Sequence, residues 1–388
     1  MSPLEERHPS TVTDWDDERR KARLRDTGLG HGWKSLRRTR LVLLRVAALL
    51  LAGLVLFAQY WVHDVAPEQT RLARTEPAVL PVAPPADAEN WDTVVVDMVG
   101  LGGLNAGNTA AALPSLSRMG VVWAIKYDNS GIDTRVIAEL IIRAAQMSGL
   151  KNIVLVGHSM GGVIALEVAK HIHTGSDRRL VSVILDCTPM DLNAVRPESR
   201  GRGEDMLRWM AWLPGARESR GLRLTVETYA RRDRFFDRGG AGMPGIRVAK
   251  LGGVVSDVLR EKIFSRDAAS NGLIESQFLA IVAGGALNDL RALSRPADGK
   301  PRPAIVFIRP RNPGNDRVVD VEYSHRVLIE RSGGVEGTLL VVMARNTGHA
   351  NPMQRPREYN TVIEQQILPF VQRFQQQVRA AASAAGPR

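Results

Sequence analysis

An α/β architecture, a mostly parallel sheet flanked by helices, is what this sequence predicts, and three observations carry the prediction. Short apolar, β-branched runs at 93–99, 121–125 and 153–156 alternate with a segment at 136–147 whose apolar side chains recur at Val136, Leu140, Ile141 and Ala144. Parallel strands need crossovers of this kind, because a tight hairpin can join only antiparallel neighbours. The third of these runs meets Gly157-His158-Ser159-Met160-Gly161, and a helix-spaced apolar stretch follows at once from Val163 to Ala169. Two further strand-like runs, at 304–308 and 338–342, come after a long interruption and precede a closing helix at about 358–378. The sheet is therefore expected to stop, leave room for an insertion, and resume.

The strand, sharp turn and helix around Ser159 point to nucleophilic chemistry. A serine at such a turn is held in a strained backbone conformation that lifts its hydroxyl off the sheet, and flanking glycines let strand and helix approach closely. A serine hydroxyl is a weak nucleophile at neutral pH, so it needs a base within hydrogen-bond reach and a carboxylate to fix that base's tautomer. Of the eight histidines, only His325 and His349 follow both the turn and a plausible acid loop. His349 lies in a Gly-His-Ala-Asn loop after the last strand, whereas His325 falls at what reads as a helix start.

With G-x-S-x-G between strand and helix, the sequence resembles the α/β-hydrolase superfamily from about Trp91 to about Arg379. The resemblance implies an α/β-hydrolase-like fold, a serine esterase or lipase-like activity and a triad in the order Ser, acid, His. On that order the catalytic residues are Ser159, Asp316 and His349. Asp316 stands in an Asn-Asp-Arg-Val-Val turn after the penultimate strand, with Asp320 and Asp186 as alternative acids. The resemblance also implies an oxyanion hole from the backbone N–H groups of Leu101, in the Gly-rich loop 100–107, and Met160. The family's common His-Gly pair in that loop is Val99-Gly100 here.

Taken in order, residues 1–40 are polar, with a basic flank of Lys34, Arg37, Arg38 and Arg40, and are expected to be a disordered cytoplasmic tail. Residues 41–62 are apolar over about the length that a helix needs to cross a bilayer, with Arg45 placed to snorkel. Ala58 and Ala66 follow Leu56 and Asp64, poor partners for leader cleavage, which favours a single-pass anchor over a removed signal. The basic flank precedes the helix, so the amino terminus is expected in the cytoplasm and the catalytic domain outside the cytoplasmic membrane. Residues 63–90, rich in Pro and Ala, read as a tether, 91–379 as the catalytic domain and 380–388 as a tail. An insertion at about 190–303, helical near 205–213, 222–236, 246–264 and 273–293, is similar to the cap that many α/β-hydrolases carry. Its Trp209, Trp212, Phe235 and Phe236 are candidates for an acyl pocket or for the cap's own small core.

Composition narrows the function further. A net charge of +11 with no zinc-finger or aromatic RNA-binding signature argues for a surface facing anionic lipid or polymer and against nucleic acid. The loop 100–107 has Asn105 where a dinucleotide fingerprint requires Gly, and no P-loop Lys follows. The one cysteine, Cys187, is expected to be a buried inert thiol, and no metal or organic cofactor is required. His171 and His173, two apart on a helix, are expected to be solvated rather than a metal pair. The expected substrates are lipid-like esters. An acyltransferase, thioesterase or peptidase on the same triad, or a catalytically silent membrane-tethered module, are the alternatives.

Overall fold

The computed structural model describes residues 28–384 apart from 88–89, 238–244, 266, 284 and 333–337. The chain divides into two units, 1–63 and 64–388. In the first, α1 (Gly28–Tyr60) is a 33-residue helix whose large apolar side chains from Leu41 to Phe57 are exposed. It is long and apolar enough to cross a membrane. Of the tail expected to be disordered, residues 28–40 are helical and 1–27 lie outside the described residues.

The second unit is built on a seven-stranded sheet in the order β1-β3-β2-β4-β5-β8-β9. In chain order the strands are β1 (Ala78–Ala83), β2 (Thr93–Met98), β3 (Val121–Lys126), β4 (Asn152–His158), β5 (Arg179–Asp186), the short pair β6 (Phe236–Asp237) and β7 (Gly245–Ile246), β8 (Ala304–Pro310) and β9 (Leu339–Ala344). All neighbours in the large sheet are parallel except β1, which runs antiparallel along β3 at one edge. Burial on both faces explains why these strands read as unbroken apolar runs. Val94, Val96, Leu155, Val183, Leu185 and Phe307 enter one core, while Val95, Val154, Val156, Ile184, Val306 and Ile308 enter another. The alternation follows from the two-residue period of a strand.

The helices are α2 (Ala66–Leu72), α3 (Gly107–Ala111), α4 (Thr134–Met147), α5 (Met160–Gly175), α6 (Pro197–Trp212), α7 (Arg220–Ala230), α8 (Val248–Val258), α9 (Asn271–Val282), α10 (Ala286–Leu293), α11 (Val321–Arg331), α12 (Pro356–Val362) and α13 (Leu368–Ala384). Helix α4 starts where the Asp133 side chain accepts from the N–H groups of Arg135 and Val136, and it buries Ile137, Ala138, Ile141 and Ala145. Helix α5 packs against β4, β5, α4, α9 and α10, so it is apolar on most sides. Helices α6 to α10 form the insertion between β5 and β8, and part of it has a small core of its own, Phe235, Val254 and Val258 with Leu224 and Leu251.

Two expectations about segment boundaries need correction. Residues 63–90 are not a tether: α2 and β1 lie within them, and Ala78 to Pro81 pair with Lys126 to Trp123. The Asp64 carboxylate accepts from the Arg220 N–H at 2.9 Å, and Glu68 pairs with Arg220 at 2.9 Å, so this segment is docked on the cap. Pro81 misleads because proline breaks central strands but is tolerated at a sheet edge, where its missing N–H costs no ladder bond. At the other end, residues 380–384 continue α13 rather than forming a tail, and 385–388 lie outside the described residues.

Candidate active site

Ser159 joins β4 to α5, capping the helix with φ 54° and ψ −122°, a conformation that L residues rarely adopt. It persists because the neighbours leave no room for a relaxed turn. A Cβ on Gly157 would collide with the Gly161 carbonyl oxygen and the Gly162 Cα, and one on Gly161 would collide with the Met98 and Val99 carbonyls. The Ser159 N–H donates to the Asp186 carbonyl at 2.7 Å, which ties the turn to the next strand.

The parallel strands deliver three loops to the same end of the sheet. Asp316 follows β8, His349 follows β9, and the fold sets His349 Nε2 2.8 Å from Ser159 Oγ and His349 Nδ1 2.9 Å from Asp316 Oδ2. A carboxylate only accepts, so Nδ1 carries the hydrogen and Nε2 is left to accept from the serine hydroxyl. Asp316 is fully buried, and its other oxygen accepts from the N–H groups of Val318 at 2.9 Å and Val319 at 2.8 Å. Burial by itself would raise the Asp316 carboxyl, but the hydrogen bond and charge of His349 and the two N–H groups outweigh it and hold the carboxyl below the usual range.

The other acids are engaged elsewhere. Asp320 caps α11 by accepting from Glu322 and Tyr323 N–H groups. Asp186 lies 2.8 Å from His158 Nδ1 and also accepts from the Tyr359 hydroxyl. His325 is on α11 and does not line the cavity at Ser159.

His158 is buried between two buried carboxylates, with Nε2 3.0 Å from Asp97 Oδ1. Among the described residues, no group other than His158 is directed at the Asp97 oxygens, so the imidazolium is what compensates that carboxylate. Burial opposes the charge on His158, but Asp97 and Asp186 override it and the imidazole is pushed up to about 10. The folded value lies above the ordinary 6.5, so the stabilisation is complete below that pH and is lost as pH rises toward 10. The unfolding free energy is thus expected to decline through this window in urea titrations, and His158→Gln is expected to flatten the decline. An equally steep decline in the variant would show that His158 is not its source.

Tyr359 extends the same network, since its hydroxyl donates to Asp186 Oδ1 at 3.1 Å and accepts the Asn351 N–H at 3.2 Å. Asn351 Oδ1 in turn accepts the Gly348 N–H at 3.1 Å, so the loop carrying His349 is pinned to the strand beside the elbow. Cys187 is buried next to these groups, and burial together with the charges of Asp186 and Asp316 pushes its thiol well up, which suits an inert side chain.

Ser159 and His349 open into a cavity of about 390 Å³ lined by Val99, Leu101, Phe278, Ile281, Val318 and Val319, among others, with no Lys, Arg, Asp or Glu among its lining residues. Leu101 is on its wall, and its N–H makes no hydrogen bond among the described residues. Met160 opens α5, where the first N–H groups have no intrahelical acceptor.

The cap aromatics are placed elsewhere, which corrects the acyl-pocket expectation. Trp209 and Trp212 are exposed and pack edge to face on each other at 5.9 Å, Phe235 is buried in the cap's small core, and Phe236 is partly exposed. The apolar cap residues that do reach the cavity, Phe278 and Ile281, are spaced three apart on α9, a pattern that any buried helix shows. His173 also departs from expectation: it is buried and its Nε2 bonds the Arg295 carbonyl at 2.8 Å.

The sequence profile of the Alpha/beta hydrolase family matches residues 48–362. No curated protein matches the chain. Among solved structures, similar chains include an esterase from Exiguobacterium antarcticum, 14% identical, covering 76% of this chain and 94% of that one at a TM-score of 0.45. A membrane phospholipase A described as a bacterial virulence factor is 18% identical, with 87% and 99% covered at 0.44. A proline iminopeptidase from Mycobacterium smegmatis is 14% identical, with 80% and 98% covered at 0.43. With a family match over most of its length, and with the parallel sheet and the strained strand-to-helix turn at Ser159 described above, this chain belongs to the α/β hydrolase family.

Proposed function

We propose that the protein is a membrane-anchored serine hydrolase that cleaves carboxylic esters with an apolar acyl group through an acyl-enzyme. The observation that carries this reading is the hydrogen-bonded relay from Asp316 through His349 to Ser159 Oγ at the wall of an apolar cavity. In this mechanism His349 Nε2 takes the Ser159 proton as Oγ attacks the ester carbonyl, and Asp316 steadies the imidazolium. The Leu101 and Met160 N–H groups receive the developing oxyanion. The alcohol leaves with the proton from His349, and water, activated by the same base, releases the acid.

Apart from His158, whose charge is met by the Asp97 and Asp186 carboxylates, the cavity is lined without Lys, Arg, Asp or Glu, which favours a neutral acyl group over an acidic or basic one. Each CH₂ buried there contributes about 0.8 kcal/mol, so kcat/KM on p-nitrophenyl esters is expected to climb several-fold per carbon until the cavity is full. A fluorophosphonate probe is expected to label the wild type and not Ser159→Ala. Absence of labelling would refute the nucleophile, and a steady fall in kcat/KM from acetyl onward would refute the apolar acyl group.

The exposed apolar helix α1 supports an anchor, and the basic flank before it supports an extracytoplasmic catalytic domain. The full chain is then expected to stay in the membrane fraction through an alkaline carbonate wash. External protease is expected to digest the domain in wall-stripped cells. Release by carbonate would remove the anchor, and protection from protease would reverse the orientation.

A further inference from the structure

We propose that Gln277, on cap helix α9, is a positioning residue that fixes the oxyanion loop; the proposal rests on the reading of Leu101 as an oxyanion donor. Gln277 is fully buried, and its amide grips the backbone of two consecutive residues of the loop. Its Oε1 accepts the Gly102 N–H at 2.8 Å and its Nε2 donates to the Gly103 carbonyl at 2.8 Å. Gly102, at φ 82°, immediately follows Leu101, so the clamped Leu101–Gly102 peptide is joined through the Leu101 Cα to the peptide that carries the Leu101 N–H.

The loop has little else to hold it there. Its sequence Gly100-Leu-Gly-Gly is intrinsically flexible, and although Gly100 packs against the His158 carbonyl and Ser159, the Leu101 side chain is 47% exposed and does little to fix its own backbone. Among the described residues, a turn contact from the Gly103 N–H to the Gly100 carbonyl at 3.1 Å, a bridge between Gly103 and Ala268, and the Tyr127 hydroxyl donating to the Val99 carbonyl at 3.0 Å supplement the clamp, and none of them holds Gly102. A glutamine fits where other side chains would not, because it alone offers a donor and an acceptor side by side at this reach without a charge. The same helix presents Phe278 and Ile281 to the cavity, so α9 both lines the acyl site and sets the loop that stabilises charge in it.

An oxyanion donor contributes only where it is pre-aimed. Removing one typically costs about 10²- to 10³-fold in kcat, and a misplacement of about 1 Å costs on the order of 10²-fold. Gln277→Met, close in shape but without either hydrogen bond, is expected to lower kcat about 10- to 100-fold with KM within about twofold. Affinity for a trifluoromethyl ketone, whose hemiketal oxygen mimics the oxyanion, is expected to fall by the same factor as kcat/KM. Gln277→Glu keeps the acceptor for Gly102 and is expected to lie between wild type and Gln277→Met, and it carries the test if the methionine variant does not fold.

Ser276→Ala separates positioning from general destabilisation. The Ser276 hydroxyl also links α9 to the body of the domain, accepting the Ile132 N–H at 2.9 Å, but it does not touch the loop. It is expected to lower the Tm and leave kcat and inhibitor affinity unchanged. Unchanged kcat and inhibitor affinity in Gln277→Met, in a wild type that the fluorophosphonate labels, would overturn the clamp alone. A comparable loss in Ser276→Ala would also overturn it. A wild type that the probe does not label would overturn the nucleophile and the clamp together.

Discussion

Ser159→Ala and His349→Ala are each expected to lower ester hydrolysis by about 10³-fold or more while leaving the folded domain intact, and the double variant is expected to lose little beyond either one. The non-additivity follows from a relay in which a serine without its base, or a base without its serine, is equally idle. Asp316→Asn is expected to cost nearly as much, because the buried carboxylate 2.9 Å from Nδ1 would become an amide that no longer selects the productive tautomer. The same substitution at Asp186 should act on stability instead, since that carboxylate faces His158 and Tyr359. Asp320→Ala should remove only a helix cap, about 1 kcal/mol, at unchanged kcat. Steady-state kinetics paired with urea unfolding on the five single variants and the double one separate these outcomes. A mild Asp316→Asn beside an Asp186→Asn that loses turnover without losing stability would transfer the role of the acid to Asp186.

Gly157→Ala is expected to destabilise the domain by more than about 4 kcal/mol, enough that most of the protein would be recovered insoluble. One methyl group has this effect because it would enter space held by the backbone of Gly161 and Gly162, and the backbone there cannot retreat: Gly161 itself abuts the Met98 and Val99 carbonyls. Gly175→Ala serves as the comparison, since nothing lies within 4 Å of the added methyl group. At the end of α5 it is expected to be neutral or slightly stabilising. Unfolding midpoints in urea would reveal the contrast, and a Gly157→Ala protein as stable as the wild type would show that the turn can relax and that Ser159 is not held in strain.

The parallel sheet was legible because its strands are buried on both faces, so each reads as a continuous apolar run, and because helix-spaced segments separate them. The turn at Ser159 was legible for a local reason too: glycines at 157 and 161 are the residues that such a close approach of strand and helix demands. The edge strand β1 was not. Its Pro81 and its Ala-rich surroundings give the signature of a linker, and only pairing with β3 distinguishes the two.

What the sequence determined by itself is thus the fold class, the strand-turn-helix at Ser159 and the order of candidate residues, all properties of short stretches or of periodicity. What the tertiary structure decided is which side chains meet across long separations. Asp316, Asp320 and Asp186 are equivalent as letters, yet only Asp316 lies against His349, while Asp186 is taken by a histidine 28 positions away. The aromatic residues of the cap suggested an acyl pocket by composition, but the cavity at Ser159 draws on Phe278 and Ile281 instead. Gln277 reaches a loop 174 residues upstream, and Tyr359 reaches Asp186 over 173. Contacts of that range depend on how the helices pack over the sheet, and no periodicity or local motif encodes the direction in which a single buried amide or hydroxyl points.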